Sequence, residues 1–510
     1  MRRSSLESKL MFRKVLVANR GEIAVRVLRA LAEASIPSVA VYSEVDRAAL
    51  HVQMADEAVL LGPAAAHESY LRIDKIIDAA KQLGADAIHP GYGFLSENAE
   101  FAEACAAAGI CFIGPTAHAI RSLGSKTAAR TLAIAAGAPV VPGTESTIES
   151  GDKAQAVARQ IGYPVLVKAS AGGGGKGMRR VDRAEDLEAA IRDASSEASS
   201  AFGNGAVYVE KLVEAPRHIE IQILGDQFGH LIHLGERECS LQRRHQKVLE
   251  ECPSPLMARH PELRQKMGAA AVSVARAAGY TNAGTVEFLV DQAGNFYFLE
   301  MNTRLQVEHP VTELVTALDL VHWQLKIAAG QRLTLKQEDV RWTGHAIECR
   351  LYADDPENGY LPSPGLITCL REPAGPGVRL DSGVYEGWTV PLDYDPLLAK
   401  LAVWGETRTS AIARIQRALN EYLIGGIRTN RVLFQDILID SGFVNGDLST
   451  AFLDQFVKRR VAADSDLQSQ AVAALVAALH KNHGQRQESL PAEAASSSEW
   501  KTTGREQLFR

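Results

Sequence analysis

The sequence lacks any surplus of positive charge and any long hydrophobic run. Its 510 residues carry 55 Lys and Arg against 61 Asp and Glu, which gives a formal net charge of −6. A chain with this balance has no general field to neutralise nucleic-acid phosphates. No stretch approaches the roughly 18 apolar residues that a membrane-spanning helix needs. We therefore expect neither a nucleic acid nor a membrane as a partner.

Paired cysteine motifs are also missing. None of the six cysteines stands in a C-x-x-C pair, so the sequence predicts neither a zinc site nor a disulfide framework. A reduced, cytoplasmic protein is the simplest interpretation. The start has the basic residues of a signal peptide but no apolar segment behind them. We expect residues 1–10 to be a disordered extension, with Met1 and Met11 both open as the true start.

The length predicts two to four domains. Apolar runs alternate with helical spacing from the strand-like Lys14–Ala18 onward, which predicts a doubly wound parallel sheet in residues 11–124. No G-x-G-x-x-G follows that first strand, so a nicotinamide cofactor is not expected. The overall class is α/β.

Three further segments follow along the chain. Residues 125–335 change to a helix and then strands joined by glycine-rich turns, and residues 340–452 carry short strands and turn signals. Residues 453–510 are predicted to be a helical and linker tail, with Ala471–Leu479 as its helix.

The most informative motif is a hairpin with acidic residues in both strands. Thr285–Asp291 and Phe296–Asn302 are strand-like and flank a four-residue turn. A symmetric turn would place Glu287 opposite Glu300, with Cβ atoms roughly 5 Å apart. Two such carboxylates, with Asn302 beside them, suit Mg²⁺. A lysine that neutralises both, one Glu in solvent, or a one-residue slip of register are the alternatives.

A glycine-rich loop follows a good strand. The strand Pro164–Ala169 leads into Ala171–Gly177 and then into a second strand-like stretch, Met178–Val181. Strand, loop and strand indicate either a flap that can close over phosphates or a loose surface hairpin, in contrast to a Rossmann or Walker site. Lys168 inside the first strand needs a partner, for which a phosphate would serve, or it snorkels to the surface. Lys126 opens a predicted helix; either a bound phosphate offsets its unfavourable interaction with the helix dipole, or it is an ordinary solvated lysine.

Two charged stretches complete the set. Gln242–Lys247 holds three fixed cations and a histidine, which indicates either a local anion site or a solvated basic turn. Glu300–Pro310 places Arg304 four residues before Glu308, which suits anion binding with a general base or a structural ion pair.

Taken together, these stretches resemble biotin carboxylases of the ATP-grasp superfamily, as found in acetyl-CoA and other acyl-CoA carboxylases. The resemblance covers about Phe12 to Phe452. Its most specific stretches are Ala18–Ala24, His89–Asn98, Arg243–Lys247 and Glu300–Pro310. It implies an N-terminal biotin carboxylase domain, a central ATP-grasp domain with a lid at about 140–212, and a C-terminal α+β biotin carboxylase domain.

The resemblance also implies roles for individual residues. The positions that match ATP contacts are Lys126, Lys168, Gly174, Gly175, Glu210, Lys211, Leu212, Val213, His218, His245, Glu287 and Glu300. The positions that match the Mg²⁺ (or Mn²⁺) site are Glu287, Glu300 and Asn302. Those that match the bicarbonate site are Lys247, Arg304, Val307 and Glu308, and Arg350 matches the biotin-side arginine. Lys247, Arg304, Glu308 and Arg350 are the implied catalytic residues.

The implied reaction is the first half-reaction of an acyl-CoA carboxylase. Glu308 removes the bicarbonate proton, and the dianion attacks the γ-phosphate of ATP to give carboxyphosphate. This breaks down to CO₂ and phosphate, the phosphate deprotonates biotin, and Arg350 stabilises the biotin enolate that captures CO₂. An ATP-grasp ligase acting on another carboxylate substrate is the alternative, and it would not require Arg243–Lys247 or Arg350.

Partners follow from the same resemblance. The family's biotinyl site is a Met-Lys-Met, and the last methionine of this sequence is Met301. We therefore expect biotin to arrive on a separate biotin carboxyl carrier protein, with carboxyltransferase subunits completing the reaction. The family also implies a homodimer.

Overall fold

The computed structural model describes residues 12–144, 147–148, 151–170 and 177–464. The predicted N-terminal extension, Gly174, Gly175 and the predicted helix Ala471–Leu479 lie outside the described residues. The chain forms two compact units, residues 1–453 and 454–510. The described part of the second unit, to Asp464, is helical.

The N-terminal part is a parallel sheet in the order β3-β2-β1-β4-β5. Its strands are β1 Val15–Val17, β2 Ser38–Ser43, β3 Glu57–Gly62, β4 Ala87–His89 and β5 Cys111–Phe112. Its helices are α1 Gly21–Glu33, α2 Leu50–Met54, α3 Ile73–Leu83, α4 Ala99–Ala107 and α5 Ala117–Gly124. Val15 and Val17 pack into one core cluster and Leu16 into another, because alternate side chains leave opposite faces. The predicted doubly wound sheet is confirmed.

A small antiparallel sheet follows, in the order β7-β6-β8. The elements here are α6 Lys126–Ala135, α7 Gly151–Ile161, β6 Val165–Ala169, β7 Met178–Val181, α8 Leu187–Phe202 and β8 Val207–Lys211. Side chains of α7 and α8 pack with those of the strands in one apolar cluster. Strands β6 and β7 pair with each other, so the two predicted strands are confirmed; residues 171–176 between them lie outside the described residues, and the flap stays a prediction.

The largest sheet has eight antiparallel strands in the order β13-β12-β9-β10-β11-β14-β21-β19. These strands are β9 Arg217–Gly225, β10 Leu231–Arg243, β11 Gln246–Cys252, β12 Asn282–Val290, β13 Phe296–Asn302, β14 His345–Tyr352, β19 Val378–Ser382 and β21 Leu397–Gly405. Strands from the predicted central and C-terminal domains therefore belong to one sheet.

Other described elements are short strands and helices. The short strands are β15 Asp354–Asp355, β16 Leu361–Pro362, β17 Gly365–Leu366, β18 Cys369–Arg371, β20 Thr389–Val390 and β22 Leu423–Gly425. The helices are α9 Leu256–Arg259, α10 Pro261–Ala277, α11 His309–Thr316, α12 Leu320–Ala328, α13 Arg408–Glu421, α14 Arg431–Ile437, α15 Ser441–Val444 and α16 Phe452–Asp464. Within the described ranges, no helix has both the length and the apolar character to cross a bilayer.

Candidate active site

The acidic hairpin has the predicted pairing at its functional end. Glu287 pairs with Glu300 and Thr285 with Asn302. The pairing nearer the turn was predicted wrongly, because Val290, not Asp291, pairs with Phe296. Asp291 belongs to the turn, where its carboxylate accepts hydrogen bonds from turn amides. One extra residue on β13 then forms a bulge that restores the predicted register at Glu287.

Polar side chains continue from this hairpin across the neighbouring strands. On β9, His218, Glu220 and Gln222 alternate with buried isoleucines, so these three share one face. Glu220 is paired with Glu287 on one side and with Arg237 of β10 on the other. Arg237 is fully buried and donates to Glu220, Gln222 and two threonines. A row of charged groups therefore crosses the middle of the sheet.

Lys247 is the central cation of this row. Its Nζ lies 2.5 Å from Glu220, 2.7 Å from Glu287 and 2.8 Å from Glu308. Burial lowers the pKa of Lys247, but the three carboxylates outweigh burial and raise the pKa well above its usual value. The basic stretch is thus not a solvated turn at this position, since Lys247 is aimed into a buried carboxylate cluster.

Glu308 lies between two cations. Its Oε1 is 2.8 Å from Lys247 and its Oε2 accepts a hydrogen bond from Arg350 at 2.8 Å. Burial would raise the pKa of Glu308, but Lys247 and Arg350 hold it well below its usual range. Arg350 also lies 2.6 Å from Glu250, whose pKa burial raises to about 7 despite the arginine. Glu308 is therefore an ionised, buried carboxylate near neutral pH.

Arg304 and Val307 lie at the edge of the same cluster. Arg304 pairs with Glu97 of the N-terminal part at 2.9 Å and donates to Asn302 Oδ1 at 3.2 Å. Arg304 and Glu308 are four positions apart in the sequence, but among the described residues they form no direct ion pair; the carboxylate partner of Arg304 is Glu97. The carbonyl of Val307 accepts a hydrogen bond from Lys400.

The hairpin carboxylates fit a divalent cation in their chemistry. Glu287 accepts from Lys247 and Asn302 and lies 2.8 Å from His218. Glu300 has no hydrogen-bond or ion-pair partner among the described residues, and burial together with the charge of Glu287 raises its pKa. A divalent cation would bind favourably here, because it would neutralise the repulsion between the two adjacent carboxylates. The amide of Asn302 would have to turn its oxygen toward the metal, a choice of orientation open to any asparagine.

Four of the positions predicted to contact ATP, besides Lys168, lie on or directly after strand β8 of the small sheet. Lys168 is buried and forms an ion pair with Glu210, so it neither reaches the surface nor lacks a protein partner. Lys211 donates to the carbonyls of Gly162 and Tyr163 at 3.0 Å each. Leu212 and Val213 follow β8 and are half-buried.

Two further predicted ATP contacts lie outside that sheet. Lys126 is the first residue of α6, as predicted, and burial lowers its pKa while Glu300 opposes the shift. His245 is exposed in the tight turn between β10 and β11, where it and Arg244 both have positive φ. Non-glycine residues rarely adopt this backbone, and strain of this kind concentrates at functional sites.

Several residues of the cluster were not predicted from the sequence. They are Glu97, Glu220, Arg237, Glu250, Gln306 and Lys400. The pattern around Glu220 could have predicted it, because Glu220 alternates with apolar residues and therefore lies on the same face of the strand as His218. Lys400 could also have been predicted, since it stands alone in an apolar strand as Lys168 does.

Three family descriptions match the chain in sequence. "Biotin carboxylase, N-terminal domain" matches residues 11–120, "Carbamoyl-phosphate synthase L chain, ATP binding domain" matches 125–336, and "Biotin carboxylase C-terminal domain" matches 348–455. Biotin carboxylase 1 of Bacillus subtilis is 53% identical over 447 residues, covering 88% of this chain and 99% of that protein.

Solved structures show the same similarity. A biotin carboxylase–βγ-ATP complex from Campylobacter jejuni has a TM-score of 0.84 at 46% identity, covering 88% of this chain and 99% of that chain. The biotin carboxylase domain dimer of Hydrogenobacter thermophilus 2-oxoglutarate carboxylase, in complex with MgADP, ADP and bicarbonate, has a TM-score of 0.83 at 47% identity. The match covers 87% of this chain and 98% of that chain.

Proposed function

This chain belongs to the biotin carboxylase family, and from that premise we propose how its buried cluster carries out ATP-dependent carboxylation of biotin by bicarbonate. As a member of the family it is an ATP-dependent ligase. The observation that carries the proposal is Glu308, an ionised carboxylate held between Lys247 and Arg350.

We propose that bicarbonate binds beside these cations. Lys247 and Arg304 supply positive charge for the anion, and the main-chain N–H of Val307 would donate a hydrogen bond to it. Glu308 accepts the bicarbonate proton, because it is ionised and lies within the same pocket. The resulting dianion attacks the γ-phosphate of ATP, and the bond to ADP breaks to give carboxyphosphate. The burial of the cluster keeps water from this labile species.

ATP is proposed to lie between the small sheet and the hairpin. Lys126, Lys168, His218 and His245 would contact its phosphates, and the segment Glu210–Val213 its adenine side, with Gly174 and Gly175 in the lid. Glu287, Glu300 and Asn302 would hold Mg²⁺ or Mn²⁺, which neutralises charge on the transferred phosphoryl group when bound. These roles are supported by the carboxylate of Glu300, which has no ion-pair partner among the described residues, and by the electrostatic attraction between Glu300 and Lys126.

Arg350 is proposed to serve the second step. Carboxyphosphate breaks down to CO₂ and phosphate, and the phosphate takes the proton of the biotin ureido nitrogen. The negative charge that develops on the ureido oxygen is stabilised by the guanidinium of Arg350, whose burial between two carboxylates holds it in place.

Hydrolysis of ATP that depends on both bicarbonate and free biotin tests the proposal. We expect Glu308→Gln to lower this activity by about 10²–10⁴-fold, the usual contribution of a general base. Glu251→Gln is the matched control, a buried carboxylate of β11 that accepts from His345 and Arg408 instead. Turnover without biotin, or with another carboxylate in its place, would indicate a different ATP-grasp ligase.

Partners and location extend the proposal. We propose that the chain forms a homodimer, receives biotin on a carrier protein and works with carboxyltransferase subunits, as multi-subunit carboxylases do. The biotin carboxylase domain of Hydrogenobacter thermophilus 2-oxoglutarate carboxylase described above is a dimer. The six cysteines are all unpaired, which supports a reducing, cytoplasmic environment.

A further inference from the structure

Lys400 is fully buried in the apolar strand β21. An ammonium in such a place is costly unless it is partnered. Its Nζ donates a hydrogen bond of 2.9 Å to the carbonyl oxygen of Val307 and lies 3.2 Å from Glu22 and 3.7 Å from Asp381. Its main-chain partner is therefore the residue that precedes the proposed base, Glu308.

The position of Lys400 in the sheet explains this contact. Arg350 on β14 and Lys400 on β21 are directly paired, so their side chains leave the same face. Arg350 reaches the carboxylate of Glu308, and Lys400 reaches the carbonyl one residue earlier. Lys247 of β11 also contacts the Glu308 carboxylate. Cations from three neighbouring strands therefore hold Val307 and Glu308: Lys247 and Arg350 bind the Glu308 side chain, and Lys400 binds the Val307 carbonyl.

The backbone contact has a consequence for the base. The Val307 carbonyl and the Glu308 N–H belong to one rigid peptide plane, so fixing the oxygen fixes the N–H and the Cα of Glu308. Glu308 precedes helix α11 in a non-helical conformation, with φ −81 and ψ 15, which the helix alone does not impose. A shift of about 1 Å in a catalytic group costs on the order of 10²-fold in rate.

Glu22 supports Lys400 from the N-terminal part of the molecule. It lies in the first turn of α1, and its two carboxylate oxygens have no hydrogen-bond partner among the described residues apart from the approach to Lys400. Asp381 is held in place by Arg379 at 2.8 Å. Lys400 thus joins α1, β19 and β21 to the loop that carries the base.

We propose that Lys400 is a positioning residue, which orients the Val307–Glu308 peptide for bicarbonate binding and deprotonation. This inference rests on the function proposed above. Lys400 contacts Val307, Glu22 and Asp381, and none of these is proposed to bind ATP, so we expect its effect on the bicarbonate half of the site.

The variant Lys400→Met keeps the length of the side chain and removes its donor. We expect the KM for bicarbonate to rise about tenfold or more and kcat to fall, while the KM for ATP stays within about twofold. Lys14→Met is the matched control, because Lys14 also donates to a carbonyl, that of Leu83 at 2.7 Å, and pairs with a glutamate, Glu57. It should leave both KM values unchanged.

A second variant distinguishes unfolding of the protein from displacement of the Val307–Glu308 peptide. Lys400→Met with Glu22→Gln removes the uncompensated carboxylate, so thermal stability should recover while the KM for bicarbonate stays high. A folded Lys400→Met with an unchanged KM for bicarbonate, or a double variant that regains the wild-type KM, would overturn the proposal. Absence of bicarbonate-dependent turnover in the wild type would instead count against the proposed function.

Discussion

Glu287 and Glu300 lie directly opposite each other on β12 and β13, although the pairing nearer the turn is one residue out of step with them. A bulge on β13 makes the difference and directs both carboxylates to one face. Glu287 is shared among Lys247, Asn302 and His218, whereas Glu300 has no ion-pair partner in the described part of the chain. We therefore expect substitution of Glu300 to affect metal binding alone, and substitution of Glu287 to affect both metal binding and stability.

Substitution of the hairpin carboxylates should change the dependence on magnesium. We expect Glu300→Gln to raise the Mg²⁺ concentration needed for half-maximal activity by about 10- to 100-fold, because a free ligand is lost. Glu287→Gln should in addition destabilise the fold, since it leaves Lys247 and His218 with one partner fewer. Mg²⁺ titration of the activity and thermal unfolding separate the two effects. Glu103→Gln, at an exposed ion pair with Arg121, is the control; an unchanged Mg²⁺ dependence in Glu300→Gln would contradict the metal assignment.

Removal of Arg350 should uncouple the two half-steps. We expect Arg350→Met to lose carboxylation of biotin while it retains slow, bicarbonate-dependent hydrolysis of ATP, because the enolate loses its counter-charge. The variant also leaves Glu250 and Glu308 without this cation, which should destabilise the protein by about 3–5 kcal/mol. Adding Glu250→Gln should restore part of the stability but none of the carboxylation. If the double variant carboxylates biotin normally, Arg350 acts only in folding.

Substitution of Lys168, which pairs with Glu210 in the small sheet, should weaken ATP binding selectively. We expect Lys168→Met to raise the KM for ATP by about tenfold or more, while the KM for bicarbonate changes little, since the lysine lies in the small sheet. Steady-state kinetics with each substrate varied in turn measure the difference. Arg180→Met is the control in the same sheet, because Arg180 is an exposed partner of Asp182. Equal changes in both KM values would argue against a nucleotide role.

The buried carboxyl of Glu22 predicts a pH dependence of stability. Burial raises its pKa to about 7, although Lys400 offsets part of this shift. Because the folded-state pKa lies above the unfolded value of about 4.3, its contribution to stability is full below that value and is lost as the pH rises through about 7. The free energy of unfolding of Glu22→Gln minus that of wild type should therefore increase by about 2–3 kcal/mol when the pH is raised from 5 to 8. Urea unfolding at both pH values measures this, and a difference between the two proteins that does not change with pH would refute it.

Local patterns predicted most of the fold. Alternation of apolar residues gave the N-terminal sheet, and the turn residues gave the acidic hairpin. The register at Glu287 was predicted correctly because two deviations cancel, since Asp291 joins the turn and a bulge then restores the count. The need of Lys168 for a buried partner was also readable, because a charged residue inside an apolar strand must be neutralised.

The sequence did not predict which strands lie next to one another in the large sheet. Glu220, Lys247 and Lys400 lie on β9, β11 and β21, and only the order of the strands in the sheet brings their side chains to one cluster. Sheet order depends on packing over the whole chain and not on local spacing. The same reason hid Glu97, which reaches Arg304 from the N-terminal part.

Transfer of labelled carbon from bicarbonate to free biotin tests the central claim most directly. The wild-type chain with Mg·ATP, labelled bicarbonate and biotin should form labelled carboxybiotin, and Glu308→Gln should form it at least about 100-fold more slowly. Failure of the wild-type chain to label biotin under conditions in which it hydrolyses ATP, or equal labelling by Glu308→Gln, would contradict the account.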